Sequence, residues 1–233
     1  MHTMKSKFVI FKSKTNASIG IGGLIIFIAI ILVAGIAASV LIQTSSNLES
    51  QASLTGRETT KEVSTGLTVF SIEAYAASGA DISKLAIMIR PRAGSAEVDM
   101  THTYLELCNG SRKIILNYTT SFYSEPDGLD DIFSATVYPD DNFAFDNASN
   151  TDATQFGLLV LEDVDDSLSS TNPLMTRGDK LYLCINATGA FNNIAENTNI
   201  WGQVIPELGY AAPIDFRTPY SYADTCMELY WDM

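Results

Sequence analysis

Charge is absent where a soluble protein would need it: between residues 18 and 48 there is no Asp, Glu, Lys or Arg. Basic residues are scarce overall, 14 against 27 acids, and the formal net charge is -13. So little positive charge cannot neutralise a phosphate backbone, which excludes nucleic acid as a main partner. Histidine occurs only at positions 2 and 102, so a histidine-based triad would have to use His102, alone in a strand candidate. G-x-S-x-G, H-E-x-x-H and phosphate-cradling glycine patterns are all missing. No catalytic constellation is left, so the chain is expected not to be an enzyme and to require no cofactor. Proline does not occur before Pro91, so nothing of that kind interrupts a long N-terminal helix. What is present excludes a disordered acidic tail: 46% of the 233 residues are hydrophobic, and the length suits one or two domains.

The acids and bases are unevenly placed. Residues 1–17 hold Lys5, Lys7, Lys12 and Lys14 and no acid, and the first acid of the chain is Glu49. Without residues 1–17, ten basic residues face 27 acids, a formal charge of -17. Between these parts lies IGIGGLIIFIAIILVAGIAASVLI, 24 residues from Ile19 to Ile42. As a helix it is about 36 Å long, enough to cross a bilayer core. Being apolar on every face, it needs lipid or a complete protein surround. A secretory signal has a shorter apolar stretch ending at a cleavage site, whereas here the small residues Asn16, Ala17 and Ser18 precede the run. A cut there would leave the hydrophobic segment on the mature protein. Lysines ahead of the run hold the N-terminus in the cytoplasm and place the C-terminal body outside.

Beyond the run, Leu48, Ala52, Thr55, Thr59, Val63, Gly66 and Phe70 approximate a helical stripe, and Ser78-Gly79 is a stop signal. The expectation is one helix over residues 18–78. From residue 79 the period changes. Strand candidates are 84–90, 101–108, 112–118, 133–138, 156–162, 180–185, 201–205 and 226–231, with Asn109-Gly110 as a hairpin turn. The expected fold class is α+β: a long hydrophobic helix followed by an antiparallel, immunoglobulin-like β-sandwich over 79–233.

Arg177-Gly178-Asp179 reads as a turn; as an adhesion motif it is only three residues long. Acids cluster most densely at Glu162, Asp163, Asp165 and Asp166. Asp163, Asp165 and Asp166 are the candidate ligands for a structural Ca2+, the usual hard cation outside cells, although the glycine of a standard calcium loop is missing and a solvated acidic surface is the simpler reading. Cys108, Cys184 and Cys226 are candidate disulfide participants; three cannot all pair within one chain, and spacing selects no pair. Sequons stand at Asn16, Asn109, Asn117, Asn147 and Asn186. The last four fall in the outward body and are the candidates for N-linked glycans, with Asn109, in a hairpin turn, read as the most accessible.

The segment from Ser18 through Gly20-Ile21-Gly22 to Ile42 resembles the start of a mature archaeal flagellin, or archaellin: a short basic leader, a small residue at the cut, Gly-Ile-Gly, then a long hydrophobic helix. Ala17 takes the position before the cut, where glycine is commoner, and Ser18 the first mature position. The segments from Arg177 to Leu183, from Trp201 to Gly209 and from Phe216 to Pro219 also resemble late parts of that family. The resemblance implies a non-catalytic subunit of the archaellum, a swimming filament, with residues 1–17 removed and residues 18–78 in the filament core. It also implies an open helical homo-oligomer, a prepilin-type leader peptidase, a membrane platform with its ATPase motor, and paralogous archaellins as partners. The mature chain would be extracellular, and its precursor would span the membrane. Two alternatives stand beside it: an adhesive pilus-like subunit with the same leader and helix, and a monomeric single-pass membrane-anchored ectodomain that keeps its lysines.

Overall fold

The structure is a computed structural model. It describes residues 14–125, 128, 131–133, 145 and 154–231, without side chains for 14–18. Two compact units divide the chain, residues 1–57 and 58–233. Helix α1 runs Lys14–Ser64, 51 residues, about 75 Å at 1.5 Å per residue. The uncharged apolar run from Ile19 to Ile42 carries most of its first half, and from Gln43 the helix is mainly polar.

The strands are β1 (Leu67–Ala76), β2 (Ile82–Pro91), β3 (Val98–Asp99), β4 (Tyr104–Cys108), β5 (Lys113–Ser124), β6 (Gln155–Glu162), β7 (Leu174–Met175), β8 (Lys180–Asn186), β9 (Asn199–Ile205), β10 (Ala212–Arg217) and β11 (Cys226–Trp231). A short helix, α2 (Ala187–Phe191), follows β8, and a 3-10 turn, Met100–His102, precedes β4. Among the described residues nine strands form one sheet in the order β10-β9-β4-β5-β6-β8-β2-β1-β11, and β3 pairs β7 separately. All pairs in the large sheet are antiparallel except β5 with β6. The sheet curls until β10, at one end, returns against β1 and β11 at the other, so it is nearly closed into a barrel. This is the expected helix followed by a predominantly antiparallel β-domain, realised as a single curled sheet.

Inside the curl Ile72, Ile87, Leu105, Leu107, Leu158 and Leu183 are completely buried. The middle strands are also covered outside: Ala86, Leu159, Tyr182 and Cys184 pack under Phe133 and Phe145. Burial on both faces explains why 156–160 and 181–185 read as continuous apolar runs instead of alternating ones.

One expected boundary is corrected. The helix stops at Ser64, not near residue 78, and residues 67–76 form β1, which joins the sheet between β2 and β11. Val63, Gly66 and Phe70 happen to sit at helical spacing, but LTVFSIEAYA is rich in β-branched and aromatic residues. It buries Leu67, Val69, Ile72, Ala74 and Ala76, with a register shift near Ser71. The strand proposed at 133–138 begins at a turn at Phe133, and its remainder lies outside the described residues.

Backbone hydrogen bonds pin the chain where it leaves α1. Thr65 N–H closes the last helical turn onto Lys61 O (2.9 Å), and Thr65 O accepts from Tyr210 N–H (2.9 Å). Gly66 forms a parallel bridge to Tyr210 and donates to the Ser95 hydroxyl at 3.2 Å. Arg92 N–H donates to Gly66 O at 2.9 Å.

Candidate assembly helix and modification sites

The first functional element is the apolar helix. From Ile19 to Val63 every residue of α1 except Gly22 is exposed, including Ile30 and Leu32 at 61% each. Fifteen large apolar side chains between Ile19 and Ile42 are exposed in the isolated chain. Burying each contributes roughly 1.5–3 kcal/mol, so together they drive either insertion into lipid or packing against other helices. Ala17 and Ser18 fall within α1, and Gly20, Ile21 and Gly22 occupy its next turn. A β-carbon at Gly20, Gly22, Gly23 or Gly35 would meet nothing within 4 Å, so no contact within one chain demands glycine there.

The second element is the acidic loop after β6. Asp163 and Asp165 come together, as expected, but their third partner is Asp179 and not Asp166. Asp166 adopts a positive φ of 54° in the turn and lies outside the cluster. The ligand oxygens of Asp163, Asp165 and Asp179 lie within 4.8 Å of one another. Asp163 accepts N–H groups from Asp165 (3.3 Å), Ser167 (3.2 Å) and Leu168 (2.9 Å). Asp179, fully buried, accepts from Val164 N–H (3.2 Å) and Thr176 N–H (2.6 Å), stapling the loop to the start of β8. Asp165 receives the Thr176 hydroxyl at 3.1 Å, and its carboxyl is held below the usual range, chiefly by a hydrogen bond from the Ser167 side chain. A carboxylate buried and bonded as Asp179 is cannot be presented to an adhesion receptor, which removes the Arg-Gly-Asp reading.

The sequons differ in setting. Asn117 is exposed on β5, whereas Asn109, expected to be the most accessible, is half-buried. Its carboxamide oxygen accepts the N–H groups of Ser111 (3.1 Å) and Arg112 (2.8 Å), shaping the β4–β5 turn in which Gly110 takes φ +85°. Asn186 is half-buried and caps α2, accepting Gly189 N–H at 3.2 Å. Asn147 lies outside the described residues, as does the side chain of Asn16.

The cysteines occupy three strands that are not neighbours in the sheet, and all three thiols are free. Cys184 is completely buried, and burial pushes its thiol well above the ordinary range. Cys226 is exposed on the end strand β11, and Cys108 is half-buried on β4. His102 caps no catalytic group: its Nδ1 lies 3.0 Å from Asp99 in the exposed turn before β4.

The chain is similar to a set of known proteins. A sequence model of archaeal-type flagellin matches residues 17–216. The chain is 39% identical to flagellin B3 of Methanocaldococcus jannaschii over 94% of its length and 97% of that protein. It is 36% identical to flagellin B3 of Thermococcus kodakarensis, covering 93% and 98%. Among solved structures, the crystal structure of archaeal flagellin FlaB1 from M. jannaschii superposes with a TM-score of 0.59 at 33% identity, over 71% of this chain and 96% of that one. The archaeal flagellum of Methanospirillum hungatei shares the fold at 11% identity, with a TM-score of 0.57 over 90% and 98%.

Proposed function

The chain belongs to the archaeal-type flagellin family, and from that premise we infer how it is processed, placed and assembled. It is a structural, non-catalytic filament subunit. The observation that carries the assembly reading is the uncharged helix from Ile19 to Ile42, which is apolar all round and exposed at every position but Gly22 in a single chain. Packed against copies of itself through heterologous contacts that do not close, such a helix gives an open helical polymer. The precursor spans the membrane with its four lysines in the cytoplasm. A prepilin-type peptidase cuts between Ala17 and Ser18, and a membrane platform with its ATPase motor adds and turns subunits; paralogous flagellins share the filament. The mature chain is then extracellular. The helix contributes the core, and the unit from residue 58 onward forms the outer domain.

Two further properties belong to this reading. N-linked glycans occupy the outward sequons Asn109, Asn117, Asn147 and Asn186. Asp163, Asp165 and Asp179 supply the hard oxygen donors that a Ca2+ would use, and their placement by backbone N–H groups fits such an ion.

The direct test is to shear filaments from the native host and identify their subunits by mass spectrometry, with residues 19–42 traced in a reconstruction of the filament. Recovery of the chain only from membranes, as a monomer retaining Lys12 and Lys14, would favour the anchored ectodomain instead.

A further inference from the structure

The outward face of the sheet across β9, β4 and β5 mixes polar side chains with large apolar ones whose exposure burial in a single chain does not explain. Leu105, Leu107, Leu116 and Val204 turn into the core, so alternate residues on these strands turn out. Among those are Trp201, Tyr104 and Ile115, exposed by 46%, 47% and 56%. They surround an ion pair between Lys113 and Glu106 at 2.6 Å. A lone exposed aromatic is unremarkable, but three large apolar groups on adjacent strands make a patch.

One sequon is built into that patch and a second stands in the turn at its edge. Asn117 stands directly opposite Tyr104 in the β4–β5 register, which brings their β-carbons to about 4.5–5.5 Å. Asn109 follows Cys108, whose partner on β9 is Trp201. The indole lies against the turn: a β-carbon at Gly110 would be 3.5 Å from Trp201 Cη2.

We propose that this face is a stacking platform for the chain's own N-linked sugars, with Tyr104 receiving the first pyranose on Asn117 and Trp201 the first on Asn109. The inference rests on the reading that both sequons are glycosylated. A pyranose ring has an apolar C–H face that packs on an aromatic face, and a rim of hydroxyls that needs polar partners. Glu106, Lys113 and Gln203 stand among the aromatics to supply them. Attachment through the asparagine amide nitrogen leaves the Asn109 oxygen free to keep its two turn hydrogen bonds. A tethered sugar also meets its platform at high effective concentration, so weak stacking suffices. The occupant is the attached glycan and not a second copy, because one attachment point lies on the face and the other in the turn at its edge, so that sugars there hold other protein surfaces away.

The experiment is hydroxyl-radical footprinting of native filaments, read residue by residue by mass spectrometry. Wild type is compared with Thr119→Ala and Asn117→Gln, which remove the Asn117 sequon, and with Thr119→Ser, which keeps it. Losing the sequon should raise Tyr104 oxidation severalfold and leave Tyr220 unchanged, while Thr119→Ser keeps both sugar and protection. With Asn117 shown by mass to be occupied, equally high oxidation of Tyr104 with and without the sugar would overturn the stacking. Equal protection with and without it would do the same and assign the face to a neighbouring subunit. An unmodified Asn117 in wild-type filaments would overturn the glycosylation reading itself, and the platform with it.

Discussion

Gly209 approaches Thr65 so closely that a β-carbon placed on it would lie 2.1 Å from the Thr65 carbonyl oxygen. That oxygen accepts the N–H of Tyr210, so the close approach and the hydrogen bond that pins the end of α1 are one contact. Gly209 also has φ +95°, a conformation that L side chains rarely adopt. Gly209→Ala should therefore lower the stability of the outer domain by about 2–4 kcal/mol, since the overlap is with backbone and cannot be relieved by a rotamer change. Urea unfolding of a fragment from residue 58 onward would measure it. An unchanged midpoint would show that the contact relaxes at no cost. The fragment must begin near residue 58, because one beginning at residue 80 would lack β1 and leave β2 and β11 without their shared partner.

A charge in the middle of the apolar run should prevent assembly and spare the outer domain. Ile30→Asp has no opposite charge between residues 18 and 48 to pair with. A carboxylate there costs about 2.5–3.5 kcal/mol on insertion into the membrane, and it is unpaired again in a packed helical core. The expected result is an inserted, processed subunit with a folded outer domain and no filaments by electron microscopy. Normal filaments from this variant would refute burial of the helix in the polymer.

Processing has its own signature. Intact-mass measurement on purified filaments should show the loss of residues 1–17, giving a subunit that begins at Ser18. Peptides containing Lys12 or Lys14 in mature filaments would contradict the proposed cut. With that cut Asn16 would be discarded with the leader, so it should never carry a glycan.

The acidic loop yields a paired prediction. Asp179→Ala removes the acceptor for two N–H groups in a buried site and should destabilise the domain by about 2–4 kcal/mol whether or not Ca2+ is present. Asp165→Asn should lower Tm slightly in EDTA, through loss of the charged carboxyl's own hydrogen bonds, and should also abolish the difference in Tm between added Ca2+ and EDTA that differential scanning calorimetry reads as the ion's contribution. Identical melting of the wild type in both conditions would exclude a structural ion. The Asp165 carboxyl is lowered in the folded state, so its contribution is present above the unfolded pKa and is lost as pH falls through the folded one.

The parts that could be read in advance are those where one physical requirement dominates. Twenty-four uncharged residues admit few alternatives to a buried or lipid-embedded helix, and Asn109-Gly110 between alternating segments is the hairpin it looks like. β1 was concealed because a polar helix and a strand can share Val63, Gly66 and Phe70 at helical spacing, and only the tertiary partners β2 and β11 decide between them. β10 was passed over although Ala212, Ile214 and Phe216 alternate inward; Pro213 argues against a central strand, yet β10 is an end strand, where a missing N–H is tolerated. Asp179 could not be joined to Asp163 and Asp165 from spacing, because the β6–β8 pairing creates their proximity. Its clue was an acid just ahead of an apolar strand, where burial demands a hydrogen-bonding task.

The place of β1 in the sheet also sets a timetable. It is the first strand to leave the ribosome, yet it is flanked by β2, made next, and β11, made last. The oxygen of Thr65 likewise waits for Tyr210. Until the final residues arrive, β1 has one unpaired edge, and the apolar interior of the curl stays open. Pairings between the two ends of a domain form slowly, because loop closure must come first. A subunit truncated before residue 226 should therefore remain an incompletely folded membrane-bound chain, whereas a full-length one closes its sheet only after synthesis ends.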